Sequence, residues 1–333
     1  MIKKQLQRGV GILALTALTL SLTACQEGDS VMYTTDLSTT HIVIDEEGVA
    51  PQVLYTVNLN AQAMFCGGAI NYMEQLDNLS GEGTSMSGFN ATAFLQPGLN
   101  QFDLWSAPMG MYEQDGVASY LEDTSCSATL FASFKSGEQV ELTSLIVTEE
   151  NALPTIKNST VYPDKNQTPL INVKGVITGN LAEFKREVYI KTLPVWTWVR
   201  ARPFNAESEA DMKKLHRAYD TLIEMMEKRD YDSLIKAWSL SSREKAKAEG
   251  YKAQPIDFFP SPKEAFDWAD DSEVMPRKDW SEYELESFLD GRIVRLKDEY
   301  SKSPLRIGSD EVDRMLSITP YFSFIDDQLV ISR

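Results

Sequence analysis

Between His41 and about Arg202 the apolar residues recur at every second position in short runs, the pattern of half-buried β-strands. The clearest runs are His41-Ile42-Val43-Ile44, Gln52 to Leu59, Ala128 to Phe134, Gln139 to Val147, Leu170 to Ile177 and Glu187 to Val199. Lys135-Ser136-Gly137-Glu138 joins two of them as a hairpin with a glycine-containing turn. Gln96-Pro97-Gly98-Leu99-Asn100 reads as another turn, leading into a strand at Gln101-Phe102-Asp103-Leu104. Short strands separated by turns, with few helix-period stretches, predict an antiparallel β-sandwich over residues 41–202.

After Arg202 the period changes. Ser208 stands three residues before Asp211, close to a capping box, and Met212, Leu215, Tyr219, Leu222, Ile223 and Met226 follow at spacings of three and four. That predicts an amphipathic helix. A second helix is expected over Asp232–Trp238 with Leu234, Ile235 and Trp238 inward, and a third from Ser241 to about Gly250. Strand signals then return. Tyr283 to Leu289 and Arg292 to Lys297 flank Asp290-Gly291, a two-residue turn signal, and Tyr321–Ile325 and Gln328–Ser332 flank Asp326-Asp327. Helices followed by antiparallel strands make residues 203–333 an α+β domain, so the expected fold class is mainly β plus α+β. This order of elements resembles the cone-shaped fold of the nuclear transport factor 2-like superfamily.

The N-terminus has a different pattern. Lys3, Lys4 and Arg8 precede an uncharged stretch from Gly9 to Leu22, which ends in Thr23-Ala24-Cys25. A basic start, a short apolar run and a small-residue cleavage site form a secretory signal peptide over residues 1–24, too short to be a comfortable membrane span. Leu22-Thr23-Ala24-Cys25 resembles the lipobox of bacterial lipoproteins. The resemblance implies acylation of Cys25 after cleavage and anchoring to a membrane through that lipid. Gln26 stands where the family's inner-membrane retention signal is Asp, which favours the outer membrane, facing the periplasm. Residues 25–40 are polar and weakly patterned, a tether.

Charge narrows the partners. Three of the 32 basic residues and none of the 49 acidic ones precede Cys25, so the remainder has 29 basic against 49 acidic residues, a net −20. That surface disfavours nucleic acid, which needs basic contacts to phosphate, and suits a basic protein. With Cys25 lipidated, Cys66 and Cys126 remain, an even count that predicts one structural disulfide in an oxidising compartment.

The sequence holds few residues that could carry chemistry. His41 and His216 are the only histidines, no Gly-x-Ser-x-Gly elbow accompanies them, and no phosphate-binding glycine motif is present. His216 falls among Lys213, Lys214 and Arg217 and reads as a solvated side chain. Gly81, Gly83 and Gly88 sit among Ser and Thr like a loop. No cofactor and no metal site is expected. Two aromatic groups are candidate binding residues. Trp268 lies among Asp267, Asp270, Asp271 and Glu273, with Trp280 between Asp279 and Glu282; this acidic stretch suits a basic surface. Trp196 and Trp198 would share one face of an alternating strand, either in the core or as an outward stacking platform. Phe258-Phe259-Pro260-Ser261-Pro262 is a proline-stiffened loop. The expectation is a lipid-anchored, non-enzymatic binding protein of the periplasm, with the general architecture of immunity-type lipoproteins that neutralise an envelope toxin. A carbohydrate- or cell-wall-binding lipoprotein is the alternative, and a hydrolase using a carboxylate pair is a third.

Overall fold

A computed structural model describes residues 53–79, 84–112, 119–156, 173–178, 181–191, 193–250 and 262–333. Ten strands come first: β1 (Val53–Gln62), β2 (Met64–Ile70), β3 (Met73–Asp77), β4 (Ser85–Asn90), β5 (Gly98–Pro108), β6 (Ser125–Phe134), β7 (Gln139–Glu150), β8 (Leu153–Ile156), β9 (Val173–Thr178) and β10 (Leu181–Ile190). They form two antiparallel five-stranded sheets, β4-β1-β6-β7-β8 and β3-β2-β5-β10-β9. In β1 the residues Val53, Tyr55, Val57 and Leu59 alternate inward, and in β5 Phe102 and Leu104 meet them from the other sheet. This is the predicted sandwich, with the two inner faces sharing one core. Cys66 on β2 and Cys126 on β6 lie at disulfide distance, with Cα atoms 6.5 Å apart, and join the two sheets.

The Gln96–Asn100 turn owes its shape to one side chain. Asn100 accepts from the Gln96 amide at 2.8 Å and donates to the carbonyls of Gln96 at 2.8 Å and Gly98 at 3.0 Å. The Lys135–Glu138 hairpin is present between β6 and β7. Gly88 lies in β4, paired with Asn58, and so belongs to a strand instead of the loop its neighbours suggest. The run Glu187–Val199 is not one strand. β10 stops at Ile190, and Thr197–Arg200 forms a 3-10 turn.

Next come α1 (Glu209–Glu227), α2 (Tyr231–Ala237), α3 (Ser239–Ala248) and the short α4 (Pro262–Phe266). Ser208 caps α1 by accepting from the Asp211 amide at 3.2 Å, and Asp230 caps α2 in the same way through Ser233 at 3.1 Å. Gly250, with φ +80°, follows α3 where the chain must leave the helix. Ile235 is 43% exposed, outward and not inward as its spacing predicts, because Leu234 and Trp238 already fill the inner face of this short helix.

Seven strands complete the chain: β11 (Glu273–Val274), β12 (Glu284–Phe288), β13 (Ile293–Lys297), β14 (Leu305–Ser309), β15 (Arg314–Ile318), β16 (Phe322–Ile325) and β17 (Gln328–Ile331). They pair as β11-β14-β15 and β12-β13-β16-β17, antiparallel throughout. Leu215, Tyr219, Leu222 and Met226 of α1 pack on Val294, Leu296, Ile307, Phe322 and Phe324 in a second core. The Asp290-Gly291 signal does not give a two-residue turn. Phe288 pairs with Ile293, leaving a four-residue connection in which Leu289, Asp290 and Gly291 all have positive φ. Ala248, Phe288, Ile293 and Tyr321 reach into the first core, and Arg292 crosses to donate to the Gln96 side chain at 2.8 Å and the Val199 carbonyl at 3.0 Å.

A candidate binding cleft

The alternation that buries Phe102 and Leu104 turns Asp103 and Trp105 to the outer face of β5. On β10 it buries Phe184 and turns Glu183 and Lys185 outward. Register places Lys185 directly opposite Asp103, and Glu183 opposite Trp105. On the other side of β5, Trp105 faces Gly67 of β2. Its indole occupies the space a side chain there would need, so a Cβ at Gly67 would collide with the ring. The facing wall comes from β12 and β13, where Glu286 and Arg295 are cross-strand partners. Between the walls lies a cleft of about 390 Å³ lined by Asp103, Trp105, Glu183, Lys185, Glu286, Arg295 and Lys297. It continues into a larger recess of about 950 Å³ that shares Trp105, Glu183, Arg295 and Ser301.

The charges on the two walls are handled differently. Glu286 is paired with Arg295 and, at 2.7 Å, with Lys297. Burial works against its charge, but Lys297 and Arg295 more than offset this and hold the carboxyl below its ordinary value. Asp103 makes no ion pair among the described residues, since Lys185 opposite it pairs with Glu183 at 3.5 Å. Its Oδ1 accepts from the Gln101 side chain at 2.6 Å, while Oδ2 is buried with no hydrogen bond among the described residues. Burial pushes the carboxyl up to about 6; Gln101, Lys185 and the Tyr72 amide pull it down only in part, and Glu183 adds to the rise. A buried carboxylate oxygen with no hydrogen bond among the described residues, beside an indole in a cleft, suits a ligand that brings a proton donor or a positive charge.

The residues singled out in the sequence lie elsewhere. Trp196 and Trp198 are buried at 2% and 0% exposure, so neither is a platform on the surface. The reason is the 3-10 turn that replaces the expected strand; Trp196, the residue that caps its start, donates to the Thr92 carbonyl at 3.0 Å. The acidic stretch is largely occupied with its own structure. Asp271 accepts from Ser309 at 2.5 Å and from the amides of Asp310 and Glu311 at 3.0 and 2.9 Å, closing the β14–β15 turn. Trp268 is half-buried against the second core with Arg314 over its ring, and Asp270 is exposed. Trp280 is half-buried, with His216 stacked parallel at 4.4 Å and Arg277 at 4.0 Å over the ring. His216 is therefore packed and not freely solvated, and burial lowers its pKa. Cys25, His41, Gly81, Gly83 and Phe258 to Ser261 lie outside the described residues.

Among the described residues no group of three or more His, Cys, Asp or Glu could hold a metal, and no helix is long and apolar enough to cross a membrane. No family model, curated protein or solved structure matches this chain. Its functional reading rests on the cleft. Sequence reasoning passed over Asp103 and Trp105; the available signal was an indole on the polar side of an alternating strand, Gln101-Phe102-Asp103-Leu104-Trp105.

Proposed function

We propose that this chain is a lipid-anchored, non-enzymatic binding protein of the cell envelope, held at the outer membrane through Cys25, and that it captures a basic protein as an immunity-type inhibitor does. The observation that carries the reading is the buried Oδ2 of Asp103, without a hydrogen bond among the described residues, in a cleft beside Trp105. A Lys or Arg of the partner entering the cleft would satisfy that oxygen and pack its alkyl stem on the indole. The net −20 of the chain beyond residue 24 supports the same partner, because charge of one sign steers the approach of the other. An inhibitor of this kind needs a complementary surface and no reaction of its own.

A second reading follows from the indole. Trp105 in a cleft lined by carboxylates also fits a sugar ring of the cell wall, with Trp105 in the stacking role that Trp196 and Trp198 are too buried to fill. Salt separates the two. Affinity capture on the chain with Cys25→Ser, from envelope and secreted fractions, should return one stoichiometric basic protein that elutes as ionic strength rises. Retention of glycan alone, indifferent to salt, would replace the first reading with the second.

A further inference from the structure

The recess that extends the cleft has a cationic end. Lys245 of α3 and Arg333 both line it, together with Phe94, Ser317 and Thr319. Arg333 is only 2% exposed. Its Nε donates to the Ala93 carbonyl at 2.6 Å and its Nη1 to Glu244 and to the Ser332 carbonyl, each at 2.5 Å, while Nη2 is buried with no hydrogen bond among the described residues. The ring centres of the buried Trp196 and Trp198 lie 5.4 and 5.6 Å from the guanidinium carbon, and both indoles pack on it. Lys245 has no carboxylate partner among the described residues; its ammonium lies 5.7 Å from the centre of the Phe94 ring. Two neighbouring side-chain cations thus have one side-chain carboxylate between them, Glu244, and that carboxylate is committed to Arg333 and to the Thr197 hydroxyl at 2.6 Å.

We infer that the Lys245–Arg333 end of the recess binds an oxyanion, a carboxylate or phosphate carried by a ligand. A surplus positive charge withdrawn from water is costly unless an anion completes it. Burial, with the Arg333 charge adding to it, lowers the Lys245 amine to about 8, a measure of that cost. An anion between the two cations reverses the effect and holds the amine protonated. The hydroxyls of Ser317 and Thr319 line the same space, and Phe94 gives the body of the ligand an apolar wall.

The test uses the mature chain with Cys25→Ser and a trace amount of an amine-acylating ester near pH 8, with labelling at each lysine read by peptide mass spectrometry. Inorganic phosphate, acetate and chloride are compared at equal ionic strength, with exposed Lys135 as internal reference. Only the neutral amine reacts, so returning Lys245 toward its ordinary 10.5 lowers its labelling at least about fivefold relative to Lys135. Protection by phosphate alone or acetate alone identifies the group carried. In Lys245→Gln, which shortens the side chain without burying new volume, the rise in Tm caused by the effective anion should disappear. Equal Lys245 labelling in all three salts, or an anion-induced Tm rise unchanged in Lys245→Gln, overturns the inference. The assay contains no protein partner, so its outcome is independent of what Asp103 recognises.

Discussion

Replacing Asp103 by Asn should stabilise the folded chain at neutral pH, and the gain should vanish in acid. The carboxyl stands at about 6 in the folded chain against 3.8 in water, a difference equivalent to about 3 kcal/mol. The side chain keeps some contact with solvent, whose screening brings the expectation to about 1–3 kcal/mol. The sign follows from proton binding. Between 3.8 and about 6 the folded chain retains a proton that the unfolded chain has released, so stability falls as pH rises through that window. Asparagine has no proton to lose, and its oxygen still accepts from Gln101. Urea denaturation of parent and variant, followed by circular dichroism from about pH 4 to about pH 8, isolates this group because the other titrations cancel in the difference. The stability gap should open as pH rises and be complete a little above 6. A gap that is flat across the range, or a variant less stable than the parent at neutral pH, would refute the idea that Asp103 is an unsatisfied buried carboxylate.

Tyr219→Phe should cost about 1–3 kcal/mol in the same assay, because the Tyr219 hydroxyl accepts from the buried Leu296 amide at 3.0 Å and nothing would replace it. Reduction of the Cys66–Cys126 pair releases a loop with a sequence separation of 60 and should lower stability by about 4 kcal/mol, read as a fall in the urea midpoint. Gly67→Ala should force the Trp105 indole aside, costing about 1–3 kcal/mol and weakening partner capture more than Tyr219→Phe does. His216 should titrate below 6.5 by NMR, and Trp280→Ala, which exposes it, should move the midpoint back up; an unchanged midpoint would show that stacking is not the source of its burial.

How much of this was readable in the sequence depends on how many faces of an element are covered. β1, β6 and β10 bury one face against the sandwich core, and the alternation of their apolar residues is plain. In β2 all seven residues are buried, and in β14 all five, so no alternation survives to mark them. Trp196-Thr197-Trp198 misleads in the opposite way, since a 3-10 turn buries two indoles that the sequence spaces as in a strand. Asp326-Asp327 makes a tight turn without glycine, both residues having positive φ, whereas Asp290-Gly291 is stretched into a four-residue connection. The cleft itself leaves no local trace. Asp103, Lys185 and the Glu286–Arg295 pair come from β5, β10 and the β12–β13 hairpin, three places distant in the chain, and only packing brings them to one space.

The most direct test of the central claim compares capture by the Cys25→Ser chain with capture by the same chain carrying Asp103→Asn or Trp105→Ala. Both variants would first be shown folded by circular dichroism, and the same envelope fractions presented to all three. The parent should retain one basic protein at low salt, and each variant should lose at least about tenfold in affinity, equivalent to about 1.4 kcal/mol. Equal capture by all three would place recognition outside the cleft and overturn the role of Asp103 and Trp105.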